Sequence, residues 1–405
     1  MDVVIGRPVV AWAKHRVSTD ELVEDLEQRL DHPKLPVWVR MVRSAGVVWR
    51  PWSAPLEETA ERAGVGVRSR AAYAAARDRA VTAAQDALVQ AELRPEEVDV
   101  LVTTHTTSWT IPGLDVDLVG RLGLRPDVER IGLATAACVG GAHALVHAVR
   151  SLRGQPGKRA LVVAAEDLST LYHPESEPPS VRSALGALAV ALRGRLLTRS
   201  SQRSTVQAAL RGLAGAVVSL LSPAPEPPTM QSVLYAGLFG DAAGAVVVSA
   251  VEEASAGDLV AEDVWELVLP DSADAYWGVV HESGVRFASS RAATTAPGRV
   301  VPYLTGWLGG RPVEWAAVHP GGPGIISGTL AGLGLDPETA GRHARDSLEG
   351  GNLGGVGVLD VLARTLDDSG KNGESEASPG VAVAYGPGFT AAALYVTRCG
   401  ARSRI

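Results

Sequence analysis

Leu22, Val23, Leu26 and Leu30 recur at helical spacing in an otherwise polar stretch, which predicts an amphipathic helix over 19–30 with Thr19 as its cap. The alanine-rich run 69–93 places Val81, Ala84, Leu88 and Leu93 along one face and predicts a long helix. Between and beyond them lie runs that read as strands: a buried one at 98–106, then 128–137, 159–167, 243–251, 264–270 and a short apolar one ending at His319. Helical patterns follow several of these, at 113–124, 140–153, 323–333 and 354–368. Residues 380–397 read as two strands around Gly386-Pro387-Gly388, preceded by a polar, turn-rich loop. Strand and helix alternate throughout, so the fold class is α/β with a mostly buried sheet. The same order of elements occurs twice, which divides the chain near residue 250 into halves 1–250 and 251–405.

One segment breaks this rhythm. Residues 174–228 begin and end in proline-rich runs and hold two apolar helical patterns separated by "TRSSQRS". From Pro179 to Ser222 there are six Arg and no Asp or Glu, so 180–226 reads as a basic helical hairpin inserted between two strands. It is open between a packed excursion, a lid, a docking face for an acidic protein and a contact with anionic lipid.

Composition narrows the classes. At 46% hydrophobic and 20% charged, the 405-residue chain is an ordinary globular sequence able to bury two cores. A net charge of −7 argues against general binding of nucleic acid. Two cysteines, Cys138 and Cys399, cannot make a disulfide framework and suggest a reducing, cytoplasmic setting. No signal peptide and no transmembrane span is expected.

Cys138 stands where a predicted strand gives way to a helix, in "AACVGGAHAL". Free N–H groups at a helix start stabilise a thiolate, and Gly140 and Gly141 allow a carbonyl to approach the backbone. Alone, a cysteine among small residues is more often simple packing. His319, in "AAVHPGGPGI", sits at a strand end, where α/β proteins place reactive groups; alone it also reads as a satisfied core histidine. Asn352, in "EGGNLGG", is either a helix cap or an amide donor to an enolate or carbonyl oxygen.

The pieces "TIPGLDVDLVGRLGLRPDVERI", "CVGGAHAL", "GLFGDAAGAVVV", "AVHPGGPGI", "GNLGGVGVL" and "AYGPGFTAAAL" occur in the order that they have in type III polyketide synthases. The chain therefore resembles the chalcone-synthase-like branch of the thiolase superfamily. The resemblance implies a thiolase fold, two pseudo-symmetric α/β halves in five layers, acting as a homodimer. It implies a Cys138-His319-Asn352 triad that loads an acyl starter on Cys138 and extends it by decarboxylative Claisen condensation. The substrates would be acyl-CoA and malonyl-CoA, with no cofactor and no metal, and delivery by a carrier protein stays open.

The resemblance implies further residues. Phe239 would pack near the nucleophile, Phe287 and Tyr172 would be aromatic gatekeepers, and Gly386, Pro387 and Gly388 would shape the cavity floor. Ile111 would cross into a partner's cavity, and Arg40 and Arg50 would stand near the CoA entrance, or be solvated surface arginines. There are departures from the family pattern. Ala137 replaces the usual glycine before the nucleophile, Trp109 is a bulky residue expected to shorten the cavity, and Gly354 is expected to enlarge it. The Cys-to-His interval is longer than usual by about the inserted hairpin. Two rivals remain: an enzyme like ketoacyl synthase III making one condensation or acyl transfer, and a non-catalytic thiolase-fold subunit.

Overall fold

Apolar runs that do not alternate form strands buried on both faces, as 98–106, 159–167 and 243–251 do near the middle of one large sheet; 128–137 and the run ending at His319 form its two edges, and the first of these is largely exposed. The computed structural model describes residues 1–400 apart from 63, 175–228, 256 and 372–376. The basic hairpin at 180–226 therefore lies outside the described residues.

In chain order the strands are β1 (Asp2–Ile5), β2 (Val9–Trp12), β3 (His15–Ser18), β4 (Trp49–Trp52), β5 (Val100–His105), β6 (Glu129–Ala134) and β7 (Arg159–Glu166). Then follow β8 (Ala242–Val251), β9 (Leu259–Val268), β10 (Tyr276–His281), β11 (Gly284–Ser289), β12 (Trp315–Val318), β13 (Ser378–Gly386) and β14 (Thr390–Arg398). The main sheet is ten-stranded, ordered β12-β13-β14-β9-β1-β8-β7-β5-β6, with β2 also pairing β8. β5 pairs in parallel with β6 and β7, and β12 in parallel with β13; the remaining pairs are antiparallel. β1 joins the two groups by pairing with β8 on one side and β9 on the other. Residue 250 lies within β8, just ahead of that junction.

Two central helices make the middle layer. Gly140–Leu152 touches β5, β7 and β8 of the first group and β9, β13 and β14 of the second. Its Leu145, Val146, Val149 and Leu152 are wholly buried. Burial of each such side chain contributes about 1.5–3 kcal/mol. Helix Gly357–Lys371 likewise touches β2 and β8 as well as β12 and β13. On the outside, helix Val65–Gln90 covers β2, β7 and β8 with its alanine face, and helix Ala292–Leu308 packs on helix Pro323–Gly332.

Some predicted boundaries move. Helix Thr19–Arg29 is capped by Ser18, not Thr19: the Ser18 hydroxyl accepts from the Glu21 N–H, and the Glu21 carboxylate accepts from the Ser18 N–H. Thr19 instead donates its hydroxyl to the Val47 carbonyl at 2.6 Å. The predicted loop after 368 begins later, because the helix runs to Lys371, and β13 starts at Ser378.

Candidate active site

The strand-to-helix transition at residue 138 is a single 3-10 turn, Ala137–Val139, running directly into helix Gly140–Leu152. A second turn of the same kind, Gly354–Val356, leads into helix Gly357–Lys371. The two turns meet face to face. A Cβ on Gly141 would stand 2.1 Å from the Gly355 carbonyl oxygen, and one on Gly355 would stand 3.1 Å from that of Ala137. Glycine is required because any side chain would separate these helix starts.

This junction brings Cys138 and Asn352 together. The Asn352 Nδ2 lies 3.9 Å from the Cys138 Sγ. Its Oδ1 accepts from the Gly354 N–H at 2.9 Å, which leaves Nδ2 as the atom free to donate toward sulfur. The backbone of Asn352 is pinned as well, donating to Leu238 at 2.9 Å and accepting from Gly240 at 3.0 Å. Gly354 has φ +58°, and its missing side chain would meet Leu168 and Glu166. The expectation that Gly354 widens the cavity is corrected: it lets the turn close against β7.

His319 follows β12 and packs against the same junction, since a Cβ on Gly357 would lie 3.0 Å from its Nδ1. Neither imidazole nitrogen has a hydrogen-bond partner among the described residues. Burial pushes His319 down to about 3 and pushes the Cys138 thiol up to about 12, with the Glu166 charge adding to the latter. Burial thus favours a neutral thiol and a neutral imidazole over a thiolate–imidazolium pair. Ala137, beside Cys138, has φ +51°, a region that glycine adopts freely and alanine at a cost. Its N–H donates to the Thr106 hydroxyl at 2.9 Å.

Aromatic rings crowd this centre. Phe239 forms a parallel bridge to Asn352, and its ring lies 5.9 Å from that of Phe287. Tyr235 and Tyr276, which the sequence reading missed, complete the group: Tyr235 stacks on Phe239 at 6.3 Å, and Tyr276 lies 5.5 Å from Phe287. Tyr172 does not join them, which corrects its gatekeeper assignment. Its ring packs on Trp52 at 5.1 Å, and its hydroxyl donates to the Asp25 Oδ2 at 2.6 Å. Tyr172→Phe is therefore expected to cost about 1 kcal/mol of stability while leaving product distribution unchanged. Denaturant unfolding and product analysis check the two halves of that statement.

Arg50 is corrected too. It is fully buried in β4, donating to the Ser18 carbonyl at 3.1 Å and the Thr19 hydroxyl at 2.9 Å, so it is not a surface cation. Arg40 is exposed on helix Leu35–Arg43. Trp109 is 65% exposed in the single chain, and Ile111 is 98% exposed. Trp109 borders a small cleft with Arg68, Thr107 and Val280. The Gly386 backbone packs on the Cys138 turn: a Cβ there would meet Val139 Cγ1 at 2.7 Å and the Ala136 carbonyl oxygen at 3.0 Å. Pro387 and Gly388 continue that loop, with the Gly388 N–H donating to the Tyr276 carbonyl at 2.9 Å.

Glu166 was also missed. It closes β7, wholly buried, with Oε2 accepting from the Thr106 N–H at 3.2 Å and Oε1 unpartnered among the described residues. Burial raises its carboxyl to about 8. The signal was a carboxylate ending an otherwise apolar strand. Among the described residues no group of three or more His, Cys, Asp or Glu could hold a metal ion, and no helix is long and apolar enough to cross a membrane.

Cys138, Asn352 and His319 thus gather at the meeting point of two helix starts. Residues 54–189 match the N-terminal domain of chalcone and stilbene synthases, and residues 265–399 match the C-terminal domain. The chain belongs to the chalcone and stilbene synthase family, and it is a type III polyketide synthase. It is 27% identical over 393 residues to the 1,3,6,8-tetrahydroxynaphthalene synthase of Streptomyces griseus, covering 95% of this chain and 90% of that one. It is 24% identical over 391 residues to the phloroglucinol synthase of Pseudomonas fluorescens, covering 95% and 96%. Germicidin synthase from Streptomyces coelicolor shares the fold at a TM-score of 0.78 and 25% identity, over 98% of this chain and 99% of that one. The 1,3,6,8-tetrahydroxynaphthalene synthase of Streptomyces coelicolor does so at 0.79 and 25%, over 99% and 100%. These neighbours identify the architecture as the thiolase fold.

Proposed function

We propose that Cys138 carries the acyl chain in this synthase, with His319 and Asn352 acting on the malonyl unit. The observation that supports this most is the Asn352 amide, fixed by Gly354 and turned toward the Cys138 sulfur. The thiol loses its proton to His319 and attacks the thioester of an acyl-CoA starter, releasing CoA. Malonyl-CoA then loses CO2, and its enolate oxygen is stabilised by the Asn352 amide and His319. The enolate carbon attacks the acyl carbonyl, a C–C bond forms, the C–S bond to Cys138 breaks, and the thiolate leaves. Repetition extends the chain. The substrates are CoA thioesters, and the reaction draws on no further cofactor.

The chain is read as a cytoplasmic homodimer. β6 ends the sheet with one edge unpaired among the described residues, and Ile111 beyond β5 is almost wholly exposed. Phe239, Phe287 and the Gly386-Pro387-Gly388 loop line the space for the growing chain, and Arg40 stands where CoA would enter. Delivery by an acyl carrier protein rests on the arginine-rich composition of 180–226 alone.

The test is incubation with a panel of acyl-CoA starters and malonyl-CoA, followed by mass spectrometry of products and of the intact protein. The expected result is a malonyl-dependent polyketide and an acyl mass increment on the peptide containing Cys138. An increment on no peptide, with product still formed, would sink the assignment.

A further inference from the structure

The second wall of the site carries a donor that the triad chemistry leaves unused. Tyr276 opens β10, and its carbonyl accepts from the Gly388 N–H at 2.9 Å. The same loop, at Gly386, packs directly on Ala136 and Val139, which flank the nucleophile. Tyr276 is thus tied through one short loop to the turn that holds Cys138. Its ring is set among Tyr235 at 5.4 Å and Phe287 at 5.5 Å, and through Phe287 it reaches Phe239, whose backbone bridges Asn352.

The Tyr276 hydroxyl makes no hydrogen bond among the described residues. Tyr276 remains half-buried. Burial and the charge on Cys138 hold the phenol well above its usual range, so it stays an O–H donor throughout the working range of pH. A phenol that makes no hydrogen bond within the protein is free to donate to an acceptor on the reacting chain. An aliphatic starter has no acceptor beyond its thioester carbonyl. A chain extended once has a keto oxygen at the β position.

We propose that Tyr276 is a specificity-determining residue whose hydroxyl donates to the β-keto oxygen of an extended acyl chain on Cys138, favouring further extension over early release. This rests on the reading of Cys138 as the acyl carrier. No proton is transferred; the phenol only orients the chain so that the Cys138 thioester faces the next enolate.

The test uses Tyr276→Phe, which keeps the ring and removes only the donor. Three measurements are compared with wild type: thermal midpoint, acyl loading of Cys138 by intact-protein mass, and product distribution by chain length. The expected result is an unchanged midpoint, unchanged loading and a first condensation within about twofold, with products of two or more extensions reduced about tenfold. Tyr276→His, which restores a donor, is expected to recover part of the longer products, and it serves alone if Tyr276→Phe does not fold. The proposal is overturned by a Tyr276→Phe product distribution equal to wild type, by equal loss of the first condensation, or by a wild type that stops after one extension. Cys138→Ala run in parallel separates the cases: if it still makes product, the acyl-carrier reading fails, not the role of Tyr276.

Discussion

Replacing Cys138 with alanine is expected to abolish polyketide formation, lowering malonyl-dependent product by about 10⁴-fold or more, as loss of an acyl-carrying nucleophile does elsewhere. The reason lies in what alanine leaves behind. Asn352 keeps its place, because its amide is fixed by the Gly354 N–H and its backbone by Leu238 and Gly240, none of which involves the sulfur. His319 is held by its own backbone bond to Val383 at 2.8 Å. The enolate stabilisers therefore survive while the acyl acceptor is lost. Malonyl-CoA should still be decarboxylated, its enolate taking a proton to give acetyl-CoA in place of a C–C bond. Stability should change little, since the sulfur makes only long contacts to Asn352 and the side chain is small. The check is simultaneous chromatography of polyketide, acetyl-CoA and residual malonyl-CoA, with iodoacetamide labelling to show that the reactive thiol has gone. Product formation at the wild-type rate would end the nucleophile reading; loss of decarboxylation as well would show that sulfur takes part in that step too.

The placement of Cys138, His319 and Asn352 was legible because they sit in short motifs whose local conformation decides their direction. Cys138 at a strand-to-helix turn, His319 at a strand end and Asn352 before a glycine pair each announce a backbone geometry, and the structure brings the Cys138 and Gly354 turns face to face. The ring cluster was much less legible. Phe239 and Phe287 lay in recognisable stretches, but Tyr235 and Tyr276 enter the site through packing between segments about forty residues apart, which no periodicity encodes. The inserted segment also obscured which aromatic faces the nucleophile, and Tyr172 was assigned to a wall that it does not reach. Arg50 shows the opposite error. An arginine reads as solvent-facing by default, yet here it is drawn inside by the Ser18 carbonyl and the Thr19 hydroxyl. The Ser18 cap was visible in principle, since Glu21 stands three residues later, the spacing of a capping box.

Glu166→Gln is expected to stabilise the protein at alkaline pH and to extend activity upward in pH. The Glu166 carboxyl is wholly buried beside the Thr106 N–H, the Thr106 and Thr107 hydroxyls, Asp167 and Cys138, and burial raises it from an ordinary 4.5 to about 8. A carboxyl whose folded value is raised favours the folded state when protonated. That stability is fully present below about 4.5 and is lost as pH rises toward 8, because the unfolded chain ionises freely and the folded chain cannot. The loss is on the order of 3–5 kcal/mol across that window. Glutamine keeps the shape and an amide oxygen for the Thr106 N–H but never ionises. The stability difference between variant and wild type should therefore be small near pH 5 and grow through pH 8. Asp241, raised to about 7 by burial and by neighbouring Asp167, contributes a slope of the same sign, but it is common to both proteins and cancels in the difference. Activity should follow for a second reason. Ionised Glu166 places a negative charge near Cys138 and opposes formation of the thiolate, so wild-type turnover should fall above pH 8 where Glu166→Gln keeps its rate. Paired denaturant titrations and rate profiles from pH 5 to 9.5 measure both effects, and a stability difference independent of pH would show that Glu166 is ionised in the folded protein throughout.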